Sequence, residues 1–498
     1  MGVKESAKEG SFSPDQKKII REENELLFLK PVHMGVISMN AEVAVIGAGP
    51  GGYVAAIRAA QLGKDVVAIE KEDIGGICLN HGCIPTKALK RSAEAVHNIE
   101  RARSFGIQIN DYEIDFQNMM RRKDSIVRRL TGGIEYLLEE NDIKVIKGKA
   151  RLEADNRVFV EGGEEDISIE AEDIIIATGS KPLIPPIEGT ELEGVMTSRE
   201  LLQIDEIPEK LAVVGGGYIG VEFASIFSEL GSEVYLIEML PGLLPNMDHD
   251  LSQNIEKAFS RELEEVYTDT TVERIEETGE DDEGLRVELS DEDSLHVDTL
   301  LMATGRTPTP PEISEDLEII IGENGEIDTD EKMRTGEDNI YAIGDVTGDY
   351  MLAHAASQEG IVAAACTAGR DKNMDYEVVP AVVFSTPEIA SVGMTESEAE
   401  KKTEIAVGEF PYQANGKALA ERERKGFVKV IADEETDEIL GIHICGLGAS
   451  SLIGEGAAAL SLDSTAGDLA DTIHAHPTLP ETIMEAAEDV HGISIHKP

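Results

Sequence analysis

The chain has 498 residues and carries 98 acidic against 44 basic side chains, a formal net charge of −54. So acidic a surface repels nucleic acid and anionic membranes, which excludes functions that depend on a basic patch. The length exceeds a single hydrophobic core, so about three domains of ordinary size are expected.

Residues 1–33 stand apart. Glu5, Glu9, Asp15, Glu22, Glu23 and Glu25 are balanced there by Lys4, Lys8, Lys17, Lys18, Arg21 and Lys30, so this segment adds nothing to the excess. It has no apolar core of signal-peptide length, and no stretch of the chain is long enough to span a bilayer. Met34 and Met39 both stand just before the first strand pattern. Residues 1–39 are therefore expected to be a disordered extension or a mis-called start, and the protein is expected in the cytoplasm.

Val43-Ala44-Val45-Ile46 is a short apolar strand that runs into a G-x-G-x-x-G turn made of Gly47, Gly49 and Gly52. A helical pattern with Ala55, Ala56, Ala59 and Ala60 follows, then a second strand ending in Glu70. In a dinucleotide-binding turn the first glycine allows the tight bend and the second lets the backbone approach a pyrophosphate. The third lets helix pack on strand, and the strand-end acid accepts a ribose 2′-hydroxyl.

Gly75-Gly76-Ile77-Cys78-Leu79-Asn80-His81-Gly82-Cys83-Ile84-Pro85-Thr86-Lys87 comes next. Two thiols five positions apart can close a small disulfide ring, which is a two-electron store. Pro85 suits the first turn of a helix and Thr86–Arg91 reads helical, which puts Cys83 where a helix dipole favours the thiolate. A structural disulfide, a zinc site and a pair of core cysteines are the competing readings. Nothing else suggests an oxidising compartment, and no second Cys/His pair has metal-ligand spacing, so no metal is expected.

Downstream, Asp115–Asn141 reads as a helical hairpin and Lys144–Ile169 as a small β insertion. The nucleotide pattern then repeats: Leu211-Ala212-Val213-Val214 leads into Gly215, Gly217, Tyr218 and Gly220, with Glu238 at the second strand end. Gly47 to Glu70 and Gly215 to Glu238 both span 23 positions. One such turn is weak evidence, whereas two copies in register are strong. Tyr341-Ala342-Ile343-Gly344-Asp345 offers a carboxylate at a strand tip, suited to the polyol of a flavin. FAD in the first unit and NAD in the second is the economical assignment, since a flavin can pass two electrons between a hydride and a dithiol. Glu238 repels a 2′-phosphate, and no Lys or Arg occurs from Ser232 to Glu256, which favours NAD over NADP.

Acid runs such as Glu280-Asp281-Asp282-Glu283 read as solvated loops, and the acid excess is spread across all domains, as expected of adaptation to extreme salt. Cys366 and Cys445 lie in apolar or glycine-rich surroundings and read as buried thiols. Near the C-terminus, Ala475-His476-Pro477-Thr478-Leu479-Pro480-Glu481 pairs a base with a carboxylate that could orient it. Two surface residues at a helix start is the alternative reading, and His474 is a bland neighbour.

Taken in order, these motifs resemble the dihydrolipoamide dehydrogenases of the pyridine nucleotide–disulfide oxidoreductase family, from about Glu42 to about Gly492. The Ala-Thr-Gly segments at 177–179 and 303–305 add to the match. The resemblance implies that Cys78 is the interchange thiol and Cys83 the flavin-side thiol, with Lys87 near the flavin and paired to Glu222. It places Thr178, Gly179, Asp345, Leu352 and Ala353 at the flavin and Gly305 on the nucleotide side. It has His476 and Glu481 acting across a homodimer interface on the partner subunit's cysteines. His81, Thr86, Ile77 and Thr309 depart from the usual residues, and none of these changes removes a reacting group.

The fold class expected is α/β, with two Rossmann-like dinucleotide-binding domains and a C-terminal α+β dimerisation domain. The boundaries are 40–180 for the FAD unit, 181–306 for the NAD unit, 307–378 completing the FAD side, and 379–498 for the dimer interface. The function implied is oxidation of dihydrolipoamide by NAD+, on a lipoyl group that is free or carried by a 2-oxoacid dehydrogenase complex. An NAD(P)H-dependent reductase of a small disulfide and a non-catalytic assembly subunit are the alternatives.

Overall fold

A computed structural model of the chain describes residues 36–162, 165–279, 284–291 and 293–497. The neutral segment 1–33 and the acid run 280–283 lie outside the described residues.

The first unit opens with β1 (Ile37–Ile46), α1 (Pro50–Gln61) and β2 (Val66–Glu70). Strand β1 starts earlier than its apolar run suggests. Ile37, Ser38 and Met39 pair in parallel with Ile167, Ser168 and Ile169, so Met39 lies inside the strand rather than before it. Residues 37–39, expected within the extension over 1–39, thus belong to the strand. Two helices carry the cysteines, α2 (Gly76–His81) and α3 (Cys83–Arg101).

Helix α4 (Phe116–Glu140) is one uninterrupted element rather than the hairpin expected over 115–141. Asp115 caps it by accepting the Asn118 amide at 2.9 Å. Gly132 and Gly133 face open space within it, so each costs helix propensity without breaking the run. Helix α4 packs against α3.

Strand β3 (Lys144–Lys147) joins the main sheet beside β2 in parallel. The insertion expected from Lys144 therefore shrinks to the hairpin β4 (Lys149–Glu153) and β5 (Arg157–Glu161), which folds antiparallel onto β6 (Ile167–Ile176).

The second unit repeats the first. The chain enters through β7 (Ser180–Pro182), β8 (Val195–Thr197) and α5 (Ser198–Leu201). It continues as β9 (Lys210–Val214), α6 (Tyr218–Glu229), β10 (Glu233–Ile237), α7 (His249–Glu262) and β11 (Glu265–Tyr267). An antiparallel three-stranded sheet follows, made of β12 (Val272–Glu277), β13 (Leu285–Leu289) and β14 (Ser294–Val297). Then β15 (Thr299–Met302) completes a parallel sheet of order β11-β10-β9-β15-β8. The chain leaves through β16 (Arg306–Pro308), which pairs antiparallel with β7, so entry and exit run side by side.

Strands β17 (Glu312–Ile313) and β18 (Ile340–Ala342) return to the first sheet, and α8 (Ala353–Thr367) packs on α1. Strand β18 pairs with the C-terminal end of β6, giving the parallel order β3-β2-β1-β6-β18. In both parallel sheets the strand order thus reverses at the strand that enters the glycine turn, the place where such sheets bind ligands.

The last part is a five-stranded antiparallel sheet. It contains β19 (Ala381–Val383), β20 (Ile389–Gly393), α9 (Glu396–Ala399), β21 (Ile405–Pro411) and α10 (Gly416–Ala420). It is completed by β22 (Phe427–Asp433), β23 (Ile439–Cys445), α11 (Ala449–Ser461), α12 (Ala466–Asp471) and α13 (Glu481–Val490). The order is β19-β20-β23-β22-β21, and α11 and α13 cover it over a core that includes Val428, Val430, Ile442 and Ile483. No helix among the described residues is long and apolar enough to cross a membrane.

Candidate active site

The two glycine turns have the same geometry for the same steric reasons. Gly47 and Gly215 adopt φ of +104° and +111°, a region that strains any side chain. A Cβ on Gly52 would collide with the Gly47 carbonyl oxygen, and one on Gly220 with that of Gly215. The middle glycines differ. Gly217 has nothing within 4 Å of a Cβ, and Gly49 only the Gly76 Cα at 3.9 Å. Each turn thus leaves backbone open at the N-terminus of a helix, α1 or α6, where aligned amides attract phosphate. Tyr218, half-buried, is the first residue of α6.

The strand-end acids also match. Glu70 accepts the amides of Ala48 at 2.7 Å and Glu72 at 2.8 Å. Glu238 accepts those of Gly216 at 2.5 Å and Leu240 at 2.8 Å. Both carboxylates are buried and tie their own strand end to the glycine turn.

The cysteine segment leans on the first turn. The Gly75 amide donates to Ala48 O at 2.8 Å, and a Cβ on Gly76 would come within 2.7 Å of the Gly49 Cα. Cys78 and Cys83 are disulfide-bonded with Cα atoms 4.7 Å apart. Cys83 is the first residue of the 19-residue α3, and Pro85 and Thr86 lie in that first turn. Thr86 also donates its hydroxyl to Gly82 O at 2.6 Å. Cys78 sits in the six-residue α2, so it too lies near a helix start. The asymmetry between the thiols is one of helix length, because the longer helix carries the stronger dipole. His81 closes α2. Burial lowers its pKa, with Arg199 adding to the effect. Its Nε2 is buried without a hydrogen-bond partner, 4.0 Å from an Asp73 oxygen.

Lys87 projects one turn after Cys83 and bonds both oxygens of Glu222 at 2.7 Å. Its ammonium lies 4.3 Å from the Phe384 ring centroid, and the Phe384 amide donates to Glu222 at 3.0 Å. The family resemblance implied this pairing, and the structure joins the two residues across three segments of chain.

At the tip of β6, the Thr178 hydroxyl is buried without a partner, and Gly179 takes a φ of +71°. Thr309 donates its amide to Gly179 O at 2.9 Å while its own hydroxyl is buried unpartnered. Asp345 accepts the Ser180 hydroxyl and lies 3.6 Å from Arg306 Nε. Leu352 is the N-cap residue of α8 and Ala353 its first residue. Gly305 has φ +118°. Unspent hydroxyls and an acid at a strand tip, beside an open glycine turn, fit the polyol and pyrophosphate of FAD. The second turn, with Glu238, fits NAD.

In the C-terminal part, His476 Nδ1 lies 2.9 Å from Glu481 Oε1, and Glu481 Oε2 accepts the Thr478 amide at 2.7 Å. Glu481 opens α13, and the His476 side chain is 79 % exposed. Burial pushes the Glu481 carboxyl up, but the Thr478 amide and the His476 ring outweigh it and hold the group below its usual range. His474 instead is inward-facing and bonds Glu455 at 2.6 Å. Cys366 and Cys445 are free and buried, and burial pushes the Cys445 thiol up to about 12.

Residues not singled out in the sequence also shape the site. Glu359, wholly buried, accepts the Gly344 amide at 2.5 Å and the Tyr376 hydroxyl at 3.0 Å, fixing the turn that presents Asp345. Lys90 and Glu229 pair at 2.6 Å beside Lys87 and Glu222. The spacing 87/90 against 222/229 is the one signal that could have revealed them, since residues three and seven apart share a helix face.

The pyridine nucleotide-disulphide oxidoreductase family matches residues 41–360, and the dimerisation domain of that family matches 379–487. Dihydrolipoyl dehydrogenase 2 of Haloarcula marismortui is 41% identical over 475 residues, covering 93% of this chain and 99% of that protein. The dihydrolipoyl dehydrogenase of Haloferax volcanii is 43% identical, with the same shares covered. Among solved structures, LpdA from Mycobacterium tuberculosis superposes with a TM-score of 0.84 at 27% identity, over 91% of this chain and 99% of that one. RclA, an HOCl-induced flavoprotein disulfide reductase from Escherichia coli, gives 0.81 at 31%, over 90% and 99%.

Proposed function

The chain belongs to the pyridine nucleotide-disulphide oxidoreductase family, and from that membership we infer an FAD-dependent enzyme that oxidises dihydrolipoamide with NAD+. The observation that carries this reading is the Cys78–Cys83 disulfide, seated on the Gly49 turn at the head of α3. Its relatives at about 41% identity over nearly the full length carry the same activity in their names.

A substrate thiolate attacks Cys78, and Cys83 leaves as a thiolate stabilised at the start of α3. The second substrate thiolate then attacks the mixed disulfide, forming the lipoamide disulfide and leaving Cys78 reduced. His476, oriented by Glu481, takes the proton of the first attacking thiol, and the proton of the second passes to the Cys78 sulfur that the second attack releases. FAD, when bound, supplies a two-electron acceptor between the dithiol and NAD+. Lys87, held by Glu222, sets a fixed positive charge beside Cys83, and Glu238 favours NAD+ over NADP+ by repelling a 2′-phosphate.

The exposed dyad makes its bonds to Thr478 and within itself, and among the described residues none runs to the cysteine segment. We therefore assign it to the partner subunit's disulfide in a homodimer, with residues 379–498 forming the interface. Residues 40–180 and 307–378 form the FAD side and 181–306 the NAD side. The lipoyl group is free or carried by a 2-oxoacid dehydrogenase complex, the compartment is cytoplasmic, and the −54 charge reflects adaptation to molar salt.

The test is an anaerobic titration of the holoenzyme with dihydrolipoamide in molar salt. One equivalent should open the disulfide, liberate two alkylatable thiols and raise a long-wavelength thiolate–flavin absorbance. An unchanged spectrum and thiol count would contradict the reading.

A further inference from the structure

Helix α3 carries a second ion pair one turn beyond Lys87. Lys90 is 3% exposed, and all three of its ammonium donors are used. They reach Glu229 Oε1 at 2.6 Å, Ser225 Oγ at 3.2 Å and Thr386 Oγ1 at 2.5 Å. Thr386 in turn donates its hydroxyl to Glu229 and its amide to Ser225 Oγ, the latter at 3.0 Å. The other Glu229 oxygen is buried with no partner. Three segments therefore meet at one ammonium: the cysteine helix α3, the nucleotide helix α6, and the loop 384–386 that follows β19.

The same three elements meet at Lys87, and the spacing matches on each. Lys87 and Lys90 are three apart on α3, Glu222, Ser225 and Glu229 lie on one face of α6, and Phe384 and Thr386 lie two apart in the loop that follows β19. A buried ion pair of this kind holds helices together no better than apolar residues of similar volume. What it adds is direction, because the ammonium is satisfied only when α3, α6 and 384–386 stand in one register. Lys87 is partly exposed and paired by one carboxylate, so it fixes that register less firmly than Lys90 does.

We propose that Lys90 is a positioning residue for the redox centre: its bonds to Glu229, Ser225 and Thr386 lock α3 on α6 and so hold Cys83 and Lys87 at fixed places beside the flavin. This rests on the functional assignment above. It predicts that loss of the knot disturbs the thiolate–flavin pair while leaving the NAD site as it was, because Glu238 and the Gly215 turn lie at the other end of the β9–β10 layer.

The experiment compares wild type with Lys90→Met and with the double variant Lys90→Leu/Glu229→Leu, all as holoenzyme in molar salt. The double variant removes both charges, so it folds even where the single one leaves Glu229 buried and uncompensated. Each protein is reduced with dithionite, which makes the spectrum independent of whether dihydrolipoamide is the physiological dithiol. In the double variant the long-wavelength band should weaken about threefold or shift, and kcat should fall about tenfold, as displacement by a fraction of an ångström does. KM for NAD+ should stay within about twofold. A double variant with the wild-type band and kcat would overturn the proposal. So would one in which the band and kcat fall while KM for NAD+ rises well beyond twofold, since that is general loss of structure. A wild type that shows the band with dithionite but not with dihydrolipoamide would overturn the substrate assignment alone.

Discussion

The Nδ1 atom of His476 lies 2.9 Å from Oε1 of Glu481, and the Thr478 amide holds the second oxygen of that carboxylate at 2.7 Å. The ring is thereby fixed in orientation with Nε2 facing outward, as a base acting on another molecule's thiol requires. His476→Gln should lower turnover with dihydrolipoamide about 10²–10³-fold, and Glu481→Gln about tenfold, while the thiolate–flavin band of the reduced enzyme persists in both. Steady-state rates and absorbance spectra check this. The Glu481 carboxyl, held below its usual range, stays charged as pH falls through the ordinary carboxylate pKa of about 4. Its contribution to stability is therefore present above that pH and lost only below it.

Cys78 and Cys83 should fail differently when replaced by serine. Cys83 heads a 19-residue helix, whereas Cys78 is the third residue of a six-residue one, which supports the proposed assignment of the flavin-side thiolate to Cys83. Cys83→Ser should abolish the long-wavelength absorbance. Cys78→Ser should keep it while losing dithiol turnover. A band that survives in both, or vanishes only in Cys78→Ser, reverses the roles.

Asp173, half-buried in β6, has its carboxyl pushed up to about 6, chiefly by burial, with Lys64 opposing. A raised acid binds more protons in the folded chain than in the unfolded one between about pH 4 and pH 6. Stability therefore falls as pH rises through that window and stays reduced above it. Asp173→Asn should remove the dependence and stabilise the fold above pH 6 by about 1 kcal/mol, the full shift being discounted for partial exposure. Thermal unfolding of both proteins at pH 5 and pH 8 measures it; a variant no more stable at pH 8 refutes it.

The −54 charge sets the salt response. Screening lengthens from about 3 Å at 1 M to about 10 Å at 0.1 M salt, so carboxylates that ignored each other begin to repel. Transfer to low salt should inactivate the enzyme over minutes to hours, and added NAD or FAD should slow the loss by binding only the folded form. Full activity after a day in 0.1 M salt would contradict adaptation to molar salt.

Much of this site was legible because its geometry is local. The collisions that demand glycine at 52 and 220 are with the Gly47 and Gly215 carbonyls of the same short strand–turn–helix unit, so spacing alone reveals them, whereas a Cβ at 47 or 215 would meet Ala177 or Ala303, far along the chain. The His476–Glu481 bond spans five residues and is equally visible. What escaped depends on partners far along the chain. Ile37–Met39 form a strand only because Ile167–Ile169 lie beside them, and Lys144–Lys147 join the parallel sheet only because β2 offers an edge. Helix α4 absorbs Gly132 and Gly133 because neither meets a neighbour. Lys90 reads as one more surface lysine until α6 and Thr386 are brought against it.

NAD-dependent oxidation of dihydrolipoamide stands or falls on initial rates of the holoenzyme in molar salt, with dihydrolipoamide and either NAD+ or NADP+. The account predicts reduction of NAD+ by dihydrolipoamide, with kcat/KM at least about tenfold above that for NADP+, equivalent to about 1.4 kcal/mol from Glu238 and the absence of any base between Ser232 and Glu256. No turnover with dihydrolipoamide, alongside brisk NAD(P)H-driven reduction of a small disulfide, would contradict it.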